Sequence, residues 1–325
     1  MVTKYYPRSV EECIAEQYNG CSMEAEAAAI ASVTGGRARV GLSMAGESSG
    51  RGLFATCAVA AGELVFSEPA FVASPAPFGC WECVCHTCLR REQDEENLLR
   101  CEGCRWAHWC SDACRQAGTA QAAHGSTRHS TAAHCPAECA AMAAMRYRQL
   151  DLPPSVLLAA RLLRGSESSP QAVLAATLVG PSADTPEKAL QELRDLAPTA
   201  LALAGRAATD ETQGSALTTL CQLRRNEFRV LDDRQVVVGC ALYPAAARLN
   251  HSCAPNLMAC SGDGWLLNLE AQRPIAAGEE LLFSYVDAQR ARGERAATLR
   301  EQYLFSCGCS CEDCATEQNT APCIE

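Results

Sequence analysis

The chain has 325 residues, of which 48% are hydrophobic and 20% charged, so it can bury the core of two domains or of one domain with insertions. The net charge is −10 and the sequence pI about 5.2, which disfavours direct DNA or RNA binding because nucleic-acid binders present basic surfaces. Apolar runs are too short to span a bilayer and the N-terminus lacks a signal peptide's apolar core, so we expect a protein of the nucleus or cytoplasm.

Residues 1–36 give no clear signal and stay an unassigned N-terminal segment. Short strands separated by glycine turns are predicted over 37–79 and again over 226–299. Two of these turns, "VAAGELV" at 59–65 and "IAAGEEL" at 275–281, resemble each other, which we interpret as common turn chemistry. Helix-period segments fill 140–225. The sequence therefore predicts an α+β fold in which one strand-rich domain is interrupted by insertions.

The chain has 22 cysteines, and their close spacing predicts metal binding because disulfides are rare in a reducing compartment. Over 80–139, Cys-x2-Cys pairs can each grip part of a tetrahedral zinc ion. Successive pairs usually interleave, which predicts two closed structural sites: Cys85, Cys88, Cys110 and Cys114 in the first, and Cys101, Cys104, His134 and Cys139 in the second. Spacing leaves other ligands open: His124, His129 and Cys135 for the second site, and Cys80 and Cys83 for the first.

A second cysteine cluster, "FSCGCSCEDC", occupies 305–314. Cys309, Cys311 and Cys314 would supply three thiolates to a third zinc, with Cys307 as a possible replacement for one of them. The fourth ligand must come from elsewhere, and Cys253 in "RLNHSCAPN" is the best free thiol. A cysteine bound to zinc is not a free nucleophile, so this assignment disfavours Cys–His catalysis by that segment.

Four segments in order, "SSGRGLFA", "RLNHSCAPN", "GEELLFSY" and "YLFSCGCSCEDC", resemble SET-domain protein-lysine methyltransferases. The pattern from Cys85 to Cys139, including "WCSDAC", is similar to a MYND zinc finger. A SET domain split by a MYND finger is the plan of the SET–MYND (SMYD-type) family, and the resemblance covers roughly residues 37–316. It implies SET parts at 37–79 and 226–299, and a pseudoknot in which the central Asn-His segment and the C-terminal strand pass through one another. It also implies a MYND finger at 80–139, a helical insert at 140–225, a post-SET zinc segment at 300–316 and a tail at 317–325.

The resemblance also implies site residues and a reaction: methyl transfer from S-adenosylmethionine (AdoMet) to a lysine amine of a protein, histone or non-histone. Tyr285 and Tyr303 match the catalytic tyrosines. The matching cofactor-binding residues are Gly50, Arg51, Gly52, Asn226, Leu249, Asn250, His251, Tyr285 and Phe305. The chemistry suits these residue types, since methyl transfer needs alignment of two reactants and an aromatic channel keeps the lysine amine neutral.

The chain stops at Glu325 without a counterpart of the family's C-terminal helical-repeat domain, so we expect a short form whose substrate choice cannot be carried over. The resemblance otherwise implies a monomeric chromatin regulator with a protein substrate. The alternative function is a non-catalytic interaction module, in which the finger binds proline-rich peptides and the SET fold is a scaffold. The joint presence of Asn250, His251, Tyr285 and Tyr303 favours the enzyme.

Overall fold

A computed structural model describes residues 22–35, 39–46, 50–75, 81–92, 95–119, 134–148, 152–165, 169–181, 185–261 and 265–303. The helices are α1 (Met23–Val33), α2 (Asp112–Thr119), α3 (Pro136–Tyr147), α4 (Pro154–Arg164), α5 (Pro170–Ala176), α6 (Glu187–Ala204), α7 (Asp210–Asn226) and α8 (Arg292–Thr298). The strands are β1 (Val40–Gly46), β2 (Gly50–Ala55), β3 (Leu64–Pro69), β4 (Val72–Pro75), β5 (Leu99–Arg100), β6 (His108–Trp109), β7 (Glu227–Leu231), β8 (Val237–Leu242), β9 (Asn250–His251), β10 (Leu257–Ser261), β11 (Leu266–Ala271) and β12 (Leu282–Phe283).

The strands form small sheets that bring together distant parts of the sequence. β1 and β2 make an antiparallel hairpin, β3 joins the β10–β11 pair, and β4 pairs with β8, which pairs with β7. β9 and β12 pair in parallel, so the "RLNHSCAPN" segment lies beside the end of "GEELLFSY". The predicted α+β class is confirmed, because both predicted strand regions build these sheets.

The two similar turns at 59–65 and 275–281 have the same conformation. Gly62 has a φ of 76° and Gly278 a φ of 80°, in the left-handed region that favours glycine. In each turn the following glutamate accepts a backbone N–H at 2.9 Å. The two segments also pair directly, since Val59 and Ile275 exchange two backbone hydrogen bonds of 2.9 Å. The two segments therefore form a local pairing between the two halves of the strand domain.

The helical insert packs between the cysteine-rich segment and the strands. Val156 to Ala160 of α4 are fully buried, in a core that also takes in Cys85, Cys104 and Trp109 of the cysteine-rich segment and Leu242 of β8. A second core joins the strands to one another. The predicted domain boundary at residue 139 falls within α3, and the boundary at 225 falls at the last turn of α7. None of the helices in these described ranges is long and apolar enough to cross a membrane.

Helix α1 lies in the N-terminal segment to which the sequence assigned no structure. Ser22 caps it by accepting the N–H of Ala25 at 3.2 Å. Its buried residues Ala29 and Ile30 belong to the core of the strand domain, and the helix packs against α5 and β1. Because alanine fills five of the eleven positions of the helix, the sequence shows no strong amphipathic period there.

Candidate metal centres and active site

The first predicted quartet, Cys85, Cys88, Cys110 and Cys114, is assembled in the structure, with its sulfur atoms within 4.8 Å of one another. The Sγ atoms of Cys88 and Cys110 are 3.6 Å apart, and those of Cys110 and Cys114 are 3.5 Å apart. Leu89, just after the first pair, has a φ of 56°, and its N–H bonds back to Cys85 O at 2.9 Å. This tight turn places both thiols of the pair on one side of the chain.

The second predicted quartet, Cys101, Cys104, His134 and Cys139, is assembled in the same way. Cys101 Sγ lies 3.6 Å from Cys139 Sγ, and Cys104 Sγ lies 3.6 Å from His134 Nε2. A Cβ at Gly103 would come within 2.7 Å of Cys139 Sγ, so only glycine fits inside this turn. Among the alternatives, Cys135 caps helix α3 instead, and its sulfur accepts the N–H of Glu138 at 3.4 Å.

Both quartets have the dimensions of a tetrahedral zinc site. A Zn–S bond of about 2.3 Å gives a tetrahedron with edges of ~3.8 Å, close to the sulfur–sulfur distances of both groups. The backbone N–H groups of Trp106 and Ala107 both donate to Cys104 Sγ at 3.4 Å, so two hydrogen bonds fix the position of this sulfur. With four protein ligands each, such sites are closed and structural.

Glu138 is a buried carboxylate behind the second quartet that the sequence analysis missed. Its Oε1 lies 3.3 Å from His134 Nδ1, the ring nitrogen opposite the one that faces the cysteines. The guanidinium of Arg161 in α4 bonds to both carboxylate oxygens at 3.0 and 3.3 Å and also donates to Ala73 O of β4 at 2.6 Å. Arg164 bonds the same carboxylate. The second quartet is thereby linked through Glu138 to the insert and to the strands.

The predicted third zinc site falls largely outside the described residues. Cys309, Cys311, Cys314 and the alternative Cys307 all lie beyond residue 303, as does Phe305. Cys253 is described, and its sulfur lies 3.4 Å from His251 Nε2. The assignment of Cys253 to zinc therefore stays a prediction.

The glycine-rich turn and the central motif meet closely at Gly52. A Cβ at Gly52 would lie 2.7 Å from Glu280 Oε1 and 2.9 Å from Asn250 Nδ2. The Asn250 amide donates to Glu280 Oε1 at 2.8 Å and to Arg51 O at 3.3 Å. Gly50 has a φ of 68°. Glycine is therefore required at 50 by backbone conformation and at 52 by the close approach of Asn250 and Glu280.

Asn256 fixes the end of the same motif to the strand that precedes Tyr285. Its side chain is fully buried, and Nδ2 donates to Glu280 O at 2.8 Å and to Glu279 Oε1 at 3.1 Å. Its Oδ1 accepts the N–H of Leu282 at 2.7 Å. Because these bonds satisfy a fully buried amide, the segments at 250–256 and 279–283 hold one relative position.

Tyr285 contacts the central motif through both its backbone and its side chain. Its hydroxyl donates to Leu249 O at 2.6 Å, and its N–H donates to His251 Nδ1 at 3.1 Å. Since Nδ1 accepts, the neutral imidazole carries its proton on Nε2, towards Cys253; burial lowers the pKa of His251 to about 4. Burial raises the pKa of the Tyr285 hydroxyl, and Tyr303 and Glu280 raise it further, so the phenol stays protonated.

Tyr285 belongs to a group of four neighbouring aromatic rings. Tyr303 lies 4.9 Å from Tyr285 between ring centroids, and its hydroxyl donates to Tyr285 O at 3.3 Å. Phe283 lies 6.3 Å from Tyr285 and 5.8 Å from Phe228 of β7. The two tyrosines were predicted from the sequence. The two phenylalanines, in the "NEF" and "LLFSY" segments, were not.

Two predicted cofactor residues make other contacts. Asn226 ends helix α7, where its amide donates to Gln222 O at 2.7 Å and to Val179 O at 3.4 Å. Arg51 forms an ion pair with Glu26 of α1, a residue that the sequence analysis did not select. The structure thus groups Gly50, Gly52, Leu249, Asn250, His251, Tyr285 and Tyr303. The catalytic and cofactor roles of these residues stay predictions, as do those of Asn226 and Arg51.

Comparison with known proteins assigns the family. The family model of the SET domain matches residues 50–286, which is more than half of the chain, and the chain therefore belongs to the SET-domain family. Within it, the chain is similar to the SMYD type, as predicted. It is 31% identical over 271 residues to mouse histone-lysine N-methyltransferase SMYD3, and 29% identical over 278 residues to Xenopus laevis N-lysine methyltransferase SMYD2-A.

These alignments cover 80% and 83% of this chain but only 58% and 59% of the two relatives, so the chain spans less than three fifths of their length. A solved structure of Rubisco LSMT bound to AdoMet matches with 15% identity and a TM-score of 0.44, over 88% of this chain and 56% of that one.

Proposed function

We propose that the protein transfers a methyl group from AdoMet to the side-chain amine of lysine in a protein substrate. The observation that carries the proposal is the convergence of Asn250 and His251 with Tyr285 and Tyr303 on one point, through the parallel β9–β12 pair. The relatives, named as lysine methyltransferases, support the same reaction.

The residues around Tyr285 suit the positioning of an amine rather than its deprotonation by a strong base. A phenol whose pKa is raised stays a hydrogen-bond donor and acceptor, and its hydroxyl is fixed by Leu249 O. The rings of Tyr303 and Phe283 offer an apolar wall beside it, which favours the neutral form of an entering lysine. Alignment of the amine with the methyl donor then supplies most of the rate, as expected for an in-line displacement.

The cofactor would lie along the turn at Gly50 and Gly52 and the amide of Asn250. AdoMet supplies an electrophilic methyl group on a sulfonium. Backbone amides at Gly50 and Gly52 can approach it because no Cβ intervenes. Asn250 is held by Glu280 and Arg51 O, so this side of the pocket is ordered before the cofactor arrives.

A calorimetric titration with AdoMet tests the proposal. Zinc-loaded wild-type protein should bind AdoMet, and Tyr285→Phe should still bind it but transfer methyl groups roughly a hundredfold more slowly, because the amine loses its orientation. His251→Ala should weaken binding, since His251 fixes the backbone of Tyr285. Tyr147→Phe is the matched control, because Tyr147 is 90% exposed. Folded wild-type protein that does not bind AdoMet would refute the proposal.

The nature of the substrate is also part of the proposal. Assays on histones and on a whole-cell lysate, read by mass spectrometry, identify the protein and the number of methyl groups added. We propose a nuclear or cytoplasmic location and a monomeric state, which tagging and sedimentation would check. Binding of proline-rich peptides by the cysteine-rich segment stays a prediction, tested by titration of that peptide class against the zinc-loaded protein.

A further inference from the structure

We propose that helix α1 is part of the cofactor site and that Glu26 is a positioning residue that joins the two segments forming it. The inference rests in part on the proposed function, because it treats the turn at 50–52 and the segment at 248–251 as the walls of the AdoMet pocket. It adds an element from the N-terminal segment, whose role could not be predicted from the sequence.

Glu26 lies on the inner face of α1 with its side chain fully buried. One carboxylate oxygen pairs with Arg51 of the glycine-rich turn. The other lies 3.6 Å from a guanidinium nitrogen of Arg248, the residue that comes just before Leu249 and Asn250. A single carboxylate therefore connects two arginines that are far apart in sequence. Arg51 lies within the predicted cofactor segment at 50–52, and Arg248 directly precedes the one at 249–251.

Arg248 is anchored independently on the insert. Its guanidinium donates to the carbonyl oxygens of Leu174 and Thr177, each at 3.0 Å, at the C-terminal end of α5. The side chain is 7% exposed, so its charge is largely removed from water. Because α1 also packs against α5, Glu26 ties the turn at Arg51 to a rigid support rather than to a mobile side chain.

Of the two side chains in the Glu26–Arg51 ion pair, only that of Arg51, in the glycine-rich turn, reaches the protein surface. The side chain of Arg51 is 26% exposed, whereas that of Glu26 is 0% exposed. Arg51 O accepts from the amide of Asn250, so a shift of Arg51 would move an acceptor of the central motif. We therefore expect Glu26 to act on cofactor affinity through Arg51 and Arg248 without touching the reacting atoms.

Hydrogen exchange tests the contact without any cofactor. Glu26→Gln keeps the size of the side chain but removes its charge. Exchange of the amides at 50–55 and 248–256 should rise by roughly tenfold or more, because Arg248 loses a buried counter-charge while water screens part of the loss at Arg51, which is 26% exposed. Glu24→Gln, an exposed glutamate of the same helix, is the matched control and should leave exchange unchanged. Glu26→Asp keeps the charge and should restore part of the protection.

The second arm measures the consequence for the cofactor. Glu26→Gln should weaken AdoMet binding, and raise the KM for AdoMet, by roughly tenfold or more, with little change in kcat or in the KM for the protein substrate. A loss of fold would instead lower kcat and loosen the zinc quartets as well. If Glu26→Gln should not fold, Glu26→Asp carries the same comparison at a smaller magnitude.

Unchanged exchange at both segments together with unchanged AdoMet affinity would overturn the inference. Tighter AdoMet binding by Glu26→Gln would overturn it too, because α1 would then compete with the cofactor. Failure of the proposed function is seen separately, as wild-type protein that does not bind AdoMet. The exchange measurement would still support or overturn the contact made by Glu26.

Discussion

Replacement of Glu138 by Gln tests whether the second cysteine–histidine quartet is held in place by charge. The substitution keeps the shape of the side chain but removes a buried negative charge that contacts His134, Arg161 and Arg164. The side chain of Arg161 is 1% exposed, so its guanidinium would be left in a dry environment without a counter-charge. Loss of one partner of such a pair costs about 3–5 kcal/mol.

The effect on zinc should be confined to one site. A carboxylate behind a histidine ligand fixes the ring and increases its basicity, and its loss costs roughly 10–100-fold in metal affinity. Glu138 contacts His134, a ligand of the second quartet, whereas the first quartet consists of four cysteines. We therefore expect Glu138→Gln to release zinc from that quartet at a chelator concentration roughly 10–100-fold lower than wild type, while the first quartet keeps its metal.

Cysteine alkylation during chelator titration, read by mass spectrometry, resolves the two sites. In Glu138→Gln, the cysteines at 101, 104 and 139 should react well before those of the first quartet at 85, 88, 110 and 114. Glu96→Gln, an exposed glutamate of the same cysteine-rich segment, should behave as wild type. If both quartets became reactive together, or in the wild-type order and at the wild-type concentration, the proposed role of Glu138 would be refuted.

Three further outcomes are expected. Gly52→Ala should lower the free energy of unfolding by about 1–3 kcal/mol and abolish AdoMet binding, because the new Cβ would displace Glu280 and Asn250. Denaturant melts measure the first effect and calorimetry the second. Burial raises the pKa of Glu68 to about 7, so its stabilising contribution is complete below pH 4.5 and is lost as pH rises towards 7. Wild type should therefore lose on the order of 3 kcal/mol more than Glu68→Gln over that range, and parallel pH–stability curves would contradict this. Removal of zinc by a chelator should unfold residues 81–119 first, seen as loss of their exchange protection, whereas uniform unfolding would contradict closed local sites.

The cysteine quartets were predictable because their ligands follow one another at short, regular spacings. Cys-x2-Cys turns define their own geometry, and interleaving is the usual way for two such pairs to close two sites. Spacing alone left His129 and Cys135 in competition with His134 and Cys139. The structure places His134 in the quartet and Cys135 at the cap of α3, because the helix start fixes which side chain turns inward.

The candidate active site was likewise predictable in its residues but not in its geometry. Asn250, His251 and Tyr285 stand in motifs whose order identified the family, so the sequence was sufficient to select them. Their mutual geometry could not be predicted from the sequence. It depends on the parallel pairing of β9 with β12 and on Asn256, which forms hydrogen bonds with residues more than twenty positions away. Glu280 lies within the recognised motif "GEELLFSY", yet only its contact with Asn250 shows its structural role.

The sequence by itself determined the family, the cysteine pairs that begin the two quartets and the motifs that contain the two tyrosines, because each is encoded in a short pattern of residue types that chemistry restricts. Only the tertiary structure decided the supporting carboxylates. Glu138 meets Arg161 across 23 residues, and Glu26 meets Arg51 across 25 residues. A lone glutamate has no pattern of its own, and its role is set by which distant guanidinium groups the packing of helices brings to it in a buried place.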